Sequence, residues 1–285
     1  MILSLIKRNL KLYFRDKISV FFSMLGVLIV LVLYLVFLAN LFSSDIANIG
    51  YGLDPGEFID NWIMAGVISV TTVTTTLGAY GVMINDNQTK IVNDFKVSPI
   101  KRSSLVLSYV LSSVLVGLIM SIFALCFAEA YILVYGGAIM RFSAIIKALG
   151  IILLSVLMSS SVIFFIIAFI KSSNAFAAIS TVFGSIVGFL MGVYVPIGTL
   201  QGAASVIRAF PFAHTAVLMR QVMIQGTLPN GVNLDDLPDG VKQALGIEFA
   251  YGDFIMPASL HILLMLAVTI LFFGLGVIAF SRKRK

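Results

Sequence analysis

An all-α integral membrane protein with six transmembrane helices is predicted by three observations. Sixty per cent of the 285 residues are apolar and only 11% are charged, against roughly a quarter charged in soluble domains. The apolar residues gather into runs long enough to cross a bilayer, which takes about 20 residues at a rise of about 1.5 Å each. The basic residues gather at the ends of those runs, where topology signals are found.

The runs are 18–42, 58–84, 103–127, 142–170, 174–195 and 254–280. The first is too long for a signal-peptide core of roughly 7–15 residues and has no small-residue cleavage site, so it is read as an uncleaved span. Most of the 19 basic residues fall on one side: Lys7, Arg8, Lys11, Arg15 and Lys17; Lys90, Lys96, Lys101 and Arg102; Lys171; and Arg282, Lys283, Arg284 and Lys285. The other side holds most of the 13 acids. The termini and residues 85–102 are therefore expected in the cytoplasm. With no repeat and no low-complexity tract, residues 1–285 read as one membrane domain.

Three shorter features decorate the spans. Residues 1–17 predict an interfacial amphipathic helix, with Ile2, Ile6, Leu10, Tyr13 and Phe14 on one side and Lys7, Lys11 and Arg15 on another. A topology anchor and a mechanical elbow both account for it. Residues 196–253 predict two short re-entrant helices in the outer leaflet, broken by Pro211 and marked by Arg208, His214 and Arg220, then a polar loop with one short helix. Residues 85–102 interrupt the apolar pattern with six charges and predict a short helix that stops before Pro99. Its stripe of Ile91, Val92 and Phe95, ringed by Asp86, Lys90, Asp94 and Lys96, suits either the lipid surface or a protein groove. A lipid anchor would carry a more uniformly basic face, so the groove is preferred.

Several chemistries are excluded. No G-x-x-x-x-G-K-[ST] loop occurs, so ATP, if used, is bound by another chain. His214 and His261 lack an H-E-x-x-H setting, Cys126 stands alone, and no metal or disulfide site is expected. The basic residues track membrane ends rather than a polar domain, which argues against nucleic acid. Glu129, the one acid in apolar sequence, lies about 40 Å of helix beyond Arg102 and so near the outer interface, where Arg141 or Lys147 is its expected partner. Two features remain open. Thr71, Thr72, Thr74, Thr75 and Thr76 lie near the bilayer midplane and either line a substrate path or bond back to their own helix. Gly184, Gly188 and Gly192 form a bare helix face that serves packing within the chain or between subunits.

This order of features resembles the membrane subunits of ABC-2 type exporters. Two stretches carry the resemblance: Phe95-Lys96-Val97-Ser98-Pro99-Ile100-Lys101-Arg102, similar to the end of that family's coupling helix, and Val195-Pro196-Ile197 followed by Pro211-Phe212-Ala213-His214-Thr215 and Arg220, similar to its outer signature. The resemblance implies a permease without catalytic residues or cofactor of its own, in a prokaryotic plasma membrane, paired with a second permease, identical or related. It implies two copies of a separate ATPase that bind ATP and Mg. It assigns Asp86, Lys90, Ile91, Val92, Asp94 and Phe95 to ATPase coupling, and makes the threonine stripe and the glycine face borders of the path. The implied activity is outward movement of an amphipathic cargo: a drug, an antimicrobial peptide or a lipid-linked molecule. Many members open the coupling segment with a Glu- and Arg-rich run where this chain has Asp86-Asn87-Gln88. An ion-coupled secondary transporter would want a midplane acid, and an intramembrane enzyme a convergent ionisable set; neither is present. A non-transporting membrane scaffold would leave the same pattern.

Overall fold

The computed structural model describes residues 2–23, 54–98, 100–170, 172–200, 202, 204–228 and 233–282. Most of the expected first span, 18–42, lies outside them. The helices are α1 (Ile2–Arg15), α2 (Lys17–Ser23), α3 (Pro55–Ala79), α4 (Gly81–Gln88), α5 (Ile91–Val97), α6 (Arg102–Val134), α7 (Phe142–Ile167), α8 (Ser173–Leu190), α9 (Ala204–Ala209), α10 (Ala213–Thr227), α11 (Asp239–Ala244) and α12 (Ala258–Arg282).

Among the described residues five helical stretches are long and apolar enough to cross a membrane: Pro55–Gln88, Arg102–Val134, Phe142–Ile167, Ser173–Leu190 and Ala258–Arg282. The protein is thus an all-α integral membrane protein. The central helix is α3. Asp54 caps it, accepting from the Gly56 N–H at 2.8 Å, and Pro55 supplies the first helical turn, where its missing N–H costs nothing. Nearly every side chain of α3 is buried, against α6, α7, α8 and α10. The α12 helix packs on α7 and leaves Leu263, Ile270 and Leu271 facing outward, as a lipid-facing helix should.

Several boundaries differ from the expected ones, and the fourth and fifth spans end early, at Ile167 and Leu190. The second span does not stop at Ile84 but runs through Tyr80 into α4 as far as Gln88. The third continues to Val134, since Ala128 and Ile132 keep packing inward after the hydrocarbon thickness is used up. The last begins at Ala258, because Phe254–Ile255 pairs with Ala250–Tyr251 as a two-strand hairpin. Hydropathy reads how apolar a residue is, not which partner covers it.

The interior is bound by hydroxyls crossing between helices. Ser155 of α7 is 2.7 Å from Thr72 of α3 and accepts from Thr215 of α10 at 3.0 Å. Ser160 of α7 is 2.9 Å from the Tyr80 hydroxyl and 2.8 Å from Ser113 of α6. Each such interhelical bond is worth about 0.6 kcal/mol in a membrane protein. Close approach of α3, α6 and α7 depends on Gly117, where a Cβ would collide with Thr76 Oγ1 and meet Val156 at 2.9 Å.

Candidate functional site

The charged interruption folds at one end of the bundle, beside α1. After Gln88 the chain turns at Lys90, whose φ of 63° is left-handed, and this redirects the backbone into α5. At the far end Ser98 adopts extended geometry before Pro99, as the proline ring demands of its predecessor, and its hydroxyl donates to the Phe95 carbonyl at 2.8 Å.

An ion pair fastens this turn to the first helix. Arg8 of α1 donates through Nη1 to Asp86 Oδ2 at 2.7 Å and through Nη2 to Oδ1 at 2.8 Å, a two-pronged geometry that fixes orientation as well as distance. Tyr109 of α6 adds its hydroxyl to Oδ2 at 2.6 Å. The Asp86 side chain is only 2% exposed and that of Arg8 28%, so the pair is shielded from water and salt. The hydrogen bond to Asp86 holds the Arg8 pKa above its ordinary value, despite the opposing cost of burial. The same guanidinium lies 5.3 Å from the centre of the Phe95 ring, within cation–π range. One arginine therefore joins α1, α4, α5 and α6.

The coupling residues named from sequence divide accordingly. Asp86 is inside the clamp: an acid one turn before the chain reverses points back at α1 and α6. Ile91, Val92 and Phe95 are half-buried, and Val92 and Phe95 close a cavity of about 400 Å³ beneath α5 together with Met83, Ile100, Leu105 and Tyr109. Lys90 and Asp94 are exposed, and so is Val97, at 89%. Val97 and Arg8 were missed. Nothing local marks Arg8 as the partner of a residue 78 positions away. Val97 falls just outside the stripe that the helical period picks out.

The other sequence candidates lie elsewhere. Thr71, Thr72, Thr74, Thr75 and Thr76 are all buried, and their hydroxyls donate to carbonyls three or four residues back in the same helix. They are buried within this chain, and Thr72 also reaches Ser155 of α7. A threonine in a helix has a carbonyl within reach of its own hydroxyl, and back-bonding needs no external partner. Nor do the three glycines make one face. Gly192, with φ 62°, ends α8: its N–H bonds the Phe189 carbonyl at 3.0 Å, and the Val193 N–H bonds that of Gly188 at 2.8 Å, a Schellman stop. Gly188 makes room for the Tyr194 ring that follows this turn, while Gly184 has open space beside it.

At the opposite end of the bundle, Arg220 of α10 is fully buried. It donates to the Gly192 carbonyl at 2.6 Å and to that of Gly246 at 3.1 Å, and stacks 4.5 Å from the Trp62 ring. These carbonyls end α8 and α11, where helix dipoles favour a cation. His214 and His261 lie Nδ1 to Nδ1 at 2.6 Å and pin α10 to α12. Glu129, expected to meet Arg141 or Lys147, accepts from the Met140 N–H at 3.0 Å, and Arg141 donates to the Leu228 carbonyl at 3.2 Å. No group of three or more potential metal ligands occurs among the described residues.

Apolar helices able to cross a bilayer, with a first helix and a short reversed helix clamped together at one end, define a multi-pass membrane protein. The family model for ABC-2 type transporters matches residues 1–224, and the chain belongs to that family. It is the permease of an ABC transporter. No curated protein matches the chain.

Proposed function

We propose that the chain is an export permease driven by a separate ATPase that grips the exposed side of α5. The observation that carries this reading is the clamp. A helix of seven residues cannot hold its own shape in water, yet a docking element must resist a push. Here α5 is backed by Arg8, which is held in turn by Asp86 and Tyr109 on the two long spans. Force applied at Lys90, Asp94 or Val97 would reach α4 and α3 through Asp86, α6 through Tyr109, and α1 through Arg8. The cavity beneath α5 gives the helix somewhere to move.

The basic residues at this end support its placement in the cytoplasm, where a nucleotide-binding partner would be found. ATP and Mg then bind to that partner, in two copies for a pair of permeases. The outward apolar face of α8, with exposed Val182, Ile186 and Phe189, suits contact with a second permease. An amphipathic cargo moving outward agrees with a bundle that has no charged midplane site among its described residues.

The test is purification of the permease with the products of neighbouring genes, where a nucleotide-binding chain should be recovered, followed by ATP-driven transport in vesicles. Val97→Asp should leave membrane insertion intact and lower both ATPase recovery and transport about tenfold, the loss of roughly 1.4 kcal/mol of contact. Phe95→Asp is a poorer probe, because it sets a second carboxylate beside Arg8. Full recovery and full transport by Val97→Asp would refute docking on this face.

A further inference from the structure

A cavity of about 980 Å³ opens at the end of the bundle remote from the clamp, between α7, α10 and the start of α12. Its polar rim carries both signs of charge. Arg141 and Lys147 come from the α7 side, Asp235 and Glu248 from the loops after α10. Deeper in, the wall is apolar, formed by Ile151, Leu154, Leu218 and Ile262. Lys147, Gly150, Ile151 and Leu154 share one face of α7, at the three- and four-residue spacing of a helix.

Two of the charges are incompletely met. Lys147 lies five residues inside α7, about 8 Å along a helix that crosses the membrane, and is exposed there. An ammonium at that depth reaches toward an anion at the lipid–water boundary. Glu248 bonds Lys242 through Oε1 at 3.3 Å, but its Oε2 is buried with no donor among the described residues. The cavity thus offers a cation to an anionic group, an acceptor to a cationic donor, and an apolar wall leading into the bilayer. Exposed Ile262 and Ala258 leave it open on the lipid side.

We infer that this cavity holds a zwitterionic phospholipid from the leaflet that contains α10, with its phosphate on Lys147 and Arg141, its ammonium toward Glu248 and Asp235, and an acyl chain along Leu154 and Ile262. A purely anionic lipid would satisfy the first pair and leave the second unmet. The inference does not depend on the transport reading, since it requires only a bilayer around the spans. A lipid so held bridges α7 to the loop that packs on α10, the segment into which Arg220 and His214 are locked.

The test is native mass spectrometry of the purified permease, titrated with equimolar phosphatidylethanolamine and phosphatidylglycerol. Wild type should retain phosphatidylethanolamine about fivefold over phosphatidylglycerol, a difference of about 1 kcal/mol. Gly150→Leu fills the cavity without a clash, since nothing lies within 4 Å of a Cβ there. It should cut retention about fivefold while thermal unfolding stays as in wild type. Lys147→Ala should lower binding of both lipids, and Asp235→Asn with Glu248→Gln should equalise them. Equal retention of the two lipids by wild type, or unchanged retention by Gly150→Leu, would overturn the assignment.

Discussion

Removing Asp86 should loosen the whole handle, and the size of the effect follows from the geometry. Asp86→Ala deletes the acceptor of three hydrogen bonds, two from Arg8 and one from Tyr109. Breaking a buried ion pair by deleting one partner costs about 3–5 kcal/mol when the survivor is trapped. Arg8 is not wholly trapped: its side chain is 28% exposed and can swing toward water, so about 2–3 kcal/mol is expected. Asp86→Asn, which still accepts from Tyr109, should cost about 1–2 kcal/mol. The clean assay is a double-mutant cycle with Arg8→Met and Asp86→Leu, read by denaturant unfolding in detergent and by ATP-driven transport in vesicles. The coupling energy should exceed about 1 kcal/mol, and transport should fall further than ATPase recovery, since the partner can still dock on a handle that no longer transmits. Additivity within about 0.5 kcal/mol, or full transport by the single variants, would show that the clamp carries neither stability nor force.

Three further outcomes are expected. Gly117→Val drives a branched side chain into Thr76 and Val156 and should cost about 1–3 kcal/mol, seen as a lower unfolding midpoint, whereas Gly184→Val, beside open space, should leave protomer stability unchanged. Arg220→Met strands the Gly192 and Gly246 carbonyls and should destabilise by about 2–4 kcal/mol; wild-type unfolding would refute the capping role of Arg220. Burial, aided by the neighbouring His261, pushes the His214 pKa down to about 4. The unfolded chain then takes up a proton near pH 6.5 that the folded chain refuses, so stability is full above that pH and falls toward pH 4. At about pH 5.5 the loss owed to His214 should approach 1.4 kcal/mol, and a His214→Gln variant should lose that share of the slope.

Much of this was legible in the sequence for a simple reason: a bilayer tests composition. The runs behind α3, α6, α7, α8 and α12 announce themselves because each must satisfy its backbone within one helix and its side chains in lipid or protein. Pro99 marked the end of α5 in the same local way. What could not be read were pairings. Asp86 looked like a surface acid because its partner sits in another helix far along the chain. For the five threonines a cargo stripe and back-bonding were both open, and each hydroxyl donates to its own helix, with Thr72 alone also crossing to Ser155. The glycine spacing implied one face, but left-handed geometry at Gly192 ends the helix there. Period and composition report what a residue can do, and long-range contact decides which of those things it does.

The central claim, that an ATPase seats on the outward side of α5, is tested most directly by cross-linking. Cys126 is the only native cysteine, so a Cys126→Ala background permits single placements at Val97, on the exposed side of α5, and at Tyr135, at the other end of the bundle. The account predicts a cross-link from position 97 to the nucleotide-binding partner that changes in yield with ATP, and none from position 135. No cross-link at 97, or equal yields from both positions, would contradict it.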